Sequence, residues 1–118
     1  IMQTYEEPFD YVLLDAPCSG LGVMKHKVDL KYQFNMKDVE DIIVLQKALL
    51  GRASRNVKVG GILVYSTCTI NKFENEWLIK DFLNEFKEFK KLEEEIILPN
   101  ELQDGFYICK MRKEKIHE

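Results

Sequence analysis

The chain holds 118 residues with a net charge of −3, room for one domain or part of one. Hydrophobic residues at 46% and charged residues at 31% exclude a disordered chain, and no apolar run nears the roughly 20 residues of a membrane span. The mild acidity excludes a general basic field that would steer nucleic acid, so any RNA contact is local or supplied from elsewhere.

Residues 1–7 have neither the basic start nor the apolar middle of a secretory leader. The three cysteines, Cys18, Cys68 and Cys109, cannot all pair internally and show no close spacing. Reduced thiols in a cytoplasmic protein are the reading that follows. No zinc site is expected, because no ligand pair has finger-like spacing.

The run from Phe9 to Asp15 is apolar and too short for a helix, which predicts a strand buried on both faces in a parallel sheet. Proline, serine and two glycines turn residues 16–22 into a loop. Residues 25–34 read as an irregular or short helical connection. From about Met36 to Val57 the spacing predicts a long helix, with Asn35 as N-cap and Asp38 and Glu40 placed well for the helix dipole. Val39, Ile42, Ile43, Leu45, Leu49, Leu50 and Ala53 mark its buried face. Lys58 and Gly60-Gly61 are read as its stop.

Residues 62–67 predict a second buried strand, completing a β-α-β unit whose crossover is expected to be right-handed and parallel. Asn71 with Glu74 resembles a capping box without the serine. It opens an amphipathic helix over 74–86 with Trp77, Leu78, Phe82 and Phe86 inward. Residues 89–95 and 105–112 predict a closing antiparallel strand pair, and Cys109 is read as plain core. Lys87, Lys90 and Lys91 beside Glu93, Glu94 and Glu95 read as a solvated surface. The class is α/β, with a strand that begins almost at once and leaves one sheet flank exposed.

In open α/β sheets ligands sit beyond the carboxyl ends of the parallel strands. Two motifs occupy those ends: Asp15-Ala16-Pro17-Cys18-Ser19-Gly20 and Ser66-Thr67-Cys68-Thr69. If the strands are neighbours, Cys18 and Cys68 face one cleft. The first motif, continued by Leu21-Gly22-Val23, and the second, preceded by Gly60-Gly61-Ile62-Leu63-Val64-Tyr65, resemble the Sun (Fmu) family of RNA cytosine-5 methyltransferases. The likeness is to its bacterial 16S ribosomal RNA enzymes of the methyltransferase B type. Asp29-Leu30-Lys31-Tyr32, Leu45-Gln46, Glu74-Asn75-Glu76 and Asp104-Gly105-Phe106-Tyr107 are further matches, and the resemblance runs from about Phe9 to Arg112.

That resemblance implies a class I, Rossmann-like fold and S-adenosylmethionine as methyl donor. It implies small-subunit ribosomal RNA as partner. It implies Cys68 as the nucleophile whose thiolate attacks C6 of cytosine, a covalent step that makes C5 reactive enough to be methylated. Cys18 matches the family's second cysteine, associated with C5 proton removal or release of the adduct. Asp15 matches the acid between donor and base, and a carboxyl group there could hydrogen-bond cytosine N3 or its amino group. Pro17 would set the backbone so that nearby carbonyls line the base pocket. Lys25, with His26, Lys27 and Lys31, forms a small basic cluster for phosphate. The family's glycine-rich donor loop, its ribose-binding acid and its RNA-binding N-terminal region have no counterpart here. Val28 stands where many relatives have proline. The chain therefore resembles the C-terminal half of a catalytic domain, inactive by itself. The alternative is a non-catalytic α/β module that scaffolds RNA or self-associates through its sheet edge. Amino-group methylation is disfavoured, because Cys18 follows Pro17 where that chemistry uses a second proline.

Overall fold

A computed structural model describes residues 8–18, 36–101 and 105–115. The elements run β1 (Phe9–Asp15), α1 (Met36–Arg55), β2 (Val57–Thr67), α2 (Glu76–Glu85), β3 (Phe89–Ile97) and β4 (Phe106–Lys113). One four-stranded sheet has the order β1-β2-β4-β3. β1 and β2 are parallel, while β4 runs antiparallel to both β2 and β3. The β-α-β unit and the antiparallel closing pair therefore stand as the sequence predicts. No helix among the described residues is long and apolar enough to cross a membrane.

Alternation along the strands selects the face that both helices cover. Leu14, Leu63, Tyr65, Tyr107, Cys109 and Met111 point into a core closed by Leu50 and Ala53 of α1 and by Leu78, Ile79 and Phe82 of α2. Phe82 stacks on Phe86 and meets Phe89, which fastens α2 to the start of β3. Cys109 is fully buried, as expected of a core thiol.

The other sheet face corrects the reading of β1 as buried on both sides. Tyr11 is 59% and Leu13 61% exposed, because no described element of the chain covers that face or pairs the outer edge of β1. A shallow depression of about 380 Å³ lies there between Tyr11, Val64, Ile108, Lys110 and the three glutamates 93–95 of β3. Lys91 pairs with Glu94 at 3.1 Å on the solvated rim, in keeping with a mixed-charge surface.

Five further readings are corrected. Helix α1 ends at Arg55, with Arg52 and Arg55 rather than Lys58 in its last turn. Lys58, Gly60 and Gly61 belong to β2, where they form a bulge: Phe9 pairs with Val57 but Tyr11 with Ile62. Leu45 lies on the outer side of α1 and is 46% exposed. Trp77 is 50% exposed and packs edge-on against Phe73 at 4.5 Å rather than entering the core. Helix α2 starts at Glu76 instead of residue 74, because Glu74 and Asn75 turn their side chains inward to bonds described below. The expected cap at Asn35 and the connection over 25–34 lie outside the described residues.

Candidate active site

The parallel pairing of β1 and β2 carries both motifs to one end of the sheet. Asp15 is the register partner of Ser66, and the Ala16 amide donates to the Ser66 carbonyl at 2.8 Å, one rung past the strand. The Ser66 hydroxyl donates to Asp15 Oδ1 at 3.1 Å, which holds the exposed carboxylate at the strand tip. Cys18 and Cys68 follow a few residues beyond this shared rung, both half-buried. No disulfide joins the three cysteines.

Cys68 sits between two fully buried threonines. The Thr67 hydroxyl donates to Asn75 Oδ1 at 2.6 Å, and Asn75 Nδ2 donates to the Thr69 carbonyl at 2.8 Å. One amide therefore bonds to both neighbours of Cys68. The Asn71 amide also donates to Thr69 Oγ1 at 3.2 Å.

The loop that carries Cys18 is tied to the same region. Gln46 Nε2 donates to the Pro17 carbonyl at 2.7 Å and to Glu74 Oε1 at 3.1 Å. Both partners are acceptors, so the amino group must face them and the amide cannot be turned over. Among the described residues Gln46 Oε1 is buried with no hydrogen-bond partner. Glu74, fully buried, accepts from Asn71 Nδ2 at 2.6 Å through its other oxygen, and its carbonyl accepts from the Tyr65 hydroxyl at 2.8 Å. Burial, then the Glu74 charge, then Cys18 push the Tyr65 hydroxyl far above its ordinary range, so it stays a proton donor. Cys109, on β4, has its thiol pushed up to about 11, chiefly by burial, and is a neutral core group at physiological pH.

The structure thus brings Asp15, Pro17, Cys18 and Cys68 to one end of two adjacent strands, while Lys25 and its basic neighbours lie outside the described residues. The Pro17 carbonyl is engaged by Gln46 of α1. Among the described residues no cluster of histidine, cysteine and acidic groups could hold a metal ion. In sequence Gln46 and Glu74 match the family with no role attached, and the structure buries both. The signal for Gln46 was available: it occupies a stripe position of α1 between buried Val39 and buried Leu50 and Ala53, where an apolar residue belongs.

The mixed α/β sheet, with β1 and β2 parallel and β4 antiparallel, is matched by solved structures of Sun-family methyltransferases. NSun6 from Pyrococcus horikoshii, solved with the S-adenosylmethionine analogue SFG, is 33% identical with a TM-score of 0.76, covering 95% of this chain and 32% of that one. A methyltransferase homolog from the same organism is 32% identical with a TM-score of 0.71, covering 91% and 40%. The family model for 16S rRNA methyltransferase RsmB/F matches residues 2–112, and the chain belongs to that family. The probable ribosomal RNA small subunit methyltransferase B of Bacillus subtilis (strain 168) is 40% identical over 94% of this chain. Methyltransferase F of Erwinia tasmaniensis is 41% identical over 74% of it. The chain spans 29% of the first of these relatives and 18% of the second.

Proposed function

We propose that the chain is the C-terminal portion of an S-adenosylmethionine-dependent methyltransferase domain that methylates C5 of cytosine in small-subunit ribosomal RNA. The observation that carries this reading is the Asp15–Ser66 rung, which delivers two half-buried thiols from remote parts of the sequence to one end of the sheet. The third thiol, Cys109, is fully buried and belongs to the core. Relatives named as small-subunit ribosomal RNA methyltransferases support RNA as the partner and the cytoplasm as the place of action.

In this reading the Cys68 thiolate bonds to C6 of an unstacked cytosine, and the electron pair of the C5–C6 double bond moves into the ring, leaving C5 nucleophilic. Bound S-adenosylmethionine supplies the methyl group that C5 takes up. Loss of the C5 proton then restores the double bond and expels the Cys68 thiolate, with Cys18 serving proton removal or release. Asp15, solvent-facing and steadied by Ser66, lies on the donor side of the base. Among the described residues Asp15 is the group this reading offers to the donor, and Gly60 and Gly61 form a strand bulge rather than a loop opening a helix.

The test is covalent trapping. The full-length protein carrying this sequence should form a stable adduct with RNA bearing 5-fluorocytosine, whose C5–F bond blocks release. Cys68→Ala should abolish the adduct, and Cys18→Ala should keep it. An alanine variant at 68 that still traps RNA removes Cys68 as nucleophile. Exposed Tyr11 and Leu13 on the outermost strand favour a second reading, a non-catalytic module that self-associates through that edge. Sedimentation of the chain as a monomer removes it.

A further inference from the structure

We propose that Gln46, Glu74 and Asn75 are positioning residues. They form a buried polar hub that fixes the backbone on both sides of Cys68 and just before Cys18, so that the two thiols hold one geometry relative to each other. The proposal rests on the reading of these cysteines as the reacting pair.

Three observations carry it. The first is connectivity. Asn75 brackets Cys68 through Thr67 and Thr69, Gln46 holds the carbonyl of Pro17, and Gln46 is bonded to Glu74, which is covalently joined to Asn75. A displacement of either cysteine-bearing loop must therefore break a bond made by a fully buried side chain, Gln46 or Asn75. The second is what Asn75 forgoes. It occupies the N-cap of α2 and is an excellent capping residue, yet its side chain makes no capping bond. Both halves of the amide are committed to residues 67 and 69 instead.

The third is the choice of glutamine at position 46. Its Oε1 is buried without a partner among the described residues, an arrangement that stability alone disfavours. Leucine would continue the apolar stripe of α1 and leave no orphan acceptor. The amino group is the part that glutamine adds, and it is the group that joins the Cys18 loop to Glu74. A polar network that lowers no energy of its own but admits one arrangement is suited to specifying geometry.

The first experiment uses this 118-residue chain and the thiols themselves. Each cysteine is alkylated with iodoacetamide across a pH series, and site-specific rates are read by mass spectrometry, with Cys109 as the buried internal reference. Thr67→Val is nearly isosteric and removes the hydroxyl that Asn75 accepts from, whereas Thr67→Ser keeps it. We expect Thr67→Val and Asn75→Leu to shift the Cys68 rate and its pH profile. Thr67→Ser should restore the wild-type profile. Gln46→Leu should shift Cys18, and in all variants Cys109 should stay slow.

Unchanged Cys18 and Cys68 profiles in Gln46→Leu and Thr67→Val overturn the proposal. So does acceleration of Cys109 to the same extent, which would mean general loosening. In the full-length protein the hub variants should lower kcat roughly ten- to a hundredfold, with KM for RNA unchanged, since a misplacement near 1 Å costs on that order. Equal losses in kcat and RNA affinity would also overturn it. Absence of a 5-fluorocytosine adduct in the wild type would defeat the reading of Cys68 instead, and the alkylation result would still decide whether the hub orders the loops.

Discussion

Gly61→Ala is expected to be the most damaging single-methyl change in the sheet. The bulge that Gly60 and Gly61 create lets β2 advance five residues while β1 advances two, from the Phe9–Val57 pair to the Tyr11–Ile62 pair. From there the register runs unbroken to Asp15–Ser66. A Cβ at residue 61 would stand 2.8 Å from the Lys58 carbonyl oxygen, 2.9 Å from that of Asp10 and 2.9 Å from Val57 Cγ1. Two of these neighbours are backbone, one in each strand, so neither can swing aside as a side chain would. Overpacking of this kind costs about 1–3 kcal/mol, and backbone clashes on both sides put this case near the upper end. At a urea m-value of about 2 kcal/mol/M, a loss of about 3 kcal/mol lowers the midpoint by about 1.5 M. The neighbouring glycine separates sterics from conformation. Gly60 has φ +89° and nothing within 4 Å of its ideal Cβ, so Gly60→Asn meets no clash and should cost only backbone strain, about 1–2 kcal/mol. Urea titration of both variants, with unchanged slope, is the assay. A Gly61→Ala midpoint within error of wild type would refute the close approach of β1 to the bulge and the register argument built on it.

Two further outcomes are expected. Stability should fall on the alkaline side: Cys109 holds its proton in the folded state up to about 11 against an ordinary 9.0, burial being the main cause, so the folded state binds more protons than the unfolded one across that interval. The contribution is complete below 9.0 and is lost as pH rises toward 11, with buried Tyr65 and Tyr107 shifting the same way; a urea midpoint that stays constant over this interval contradicts the assignment. The isolated chain should bind S-adenosylmethionine weakly and turn over no RNA, because it presents Asp15 but no glycine-rich donor loop; tight binding by calorimetry would overturn this.

The parts of the fold that follow from short-range rules were readable in the sequence. The short apolar run marks strand β1 and the helical spacing marks the core of α1, and the two motifs sit at strand ends because apolar runs stop where they start. What periodicity could not convey is which side of an element finds a partner. Trp77 looked like core because aromatic residues usually bury, but α2 is short and already packs Leu78, Ile79 and Phe82. Gly60-Gly61 looked like a helix stop because glycine pairs commonly turn chains, whereas here they bend a strand. The hub was the hardest to see. Glu74 and Asn75 sit just ahead of a helix, where such residues usually serve the helix itself. Their inward orientation depends on Gln46 and Thr67, 28 and 8 residues away in sequence.

The covered side of the sheet is divided along its length, and the division matches the chemistry proposed for it. Toward the start of β2 the core cluster holds Ala53, Val57, Leu63 and Met111, with buried Ser54 and Asn56 at the turn that leads into the strand. Toward the end of β2 it becomes polar, with Thr67, Thr69, Glu74, Asn75 and Gln46 all buried. Apolar packing is non-directional and tolerates small adjustments at little cost, so it can hold the sheet together without specifying the last fraction of an ångström. Hydrogen bonds between buried groups are directional, and leaving one unmade costs about 1–3 kcal/mol. A site that needs two thiols at set positions gains from the second kind of interior at the strand tips and from the first kind below. The polar end of the core is therefore suited to specifying geometry, and the apolar packing to supplying non-directional burial.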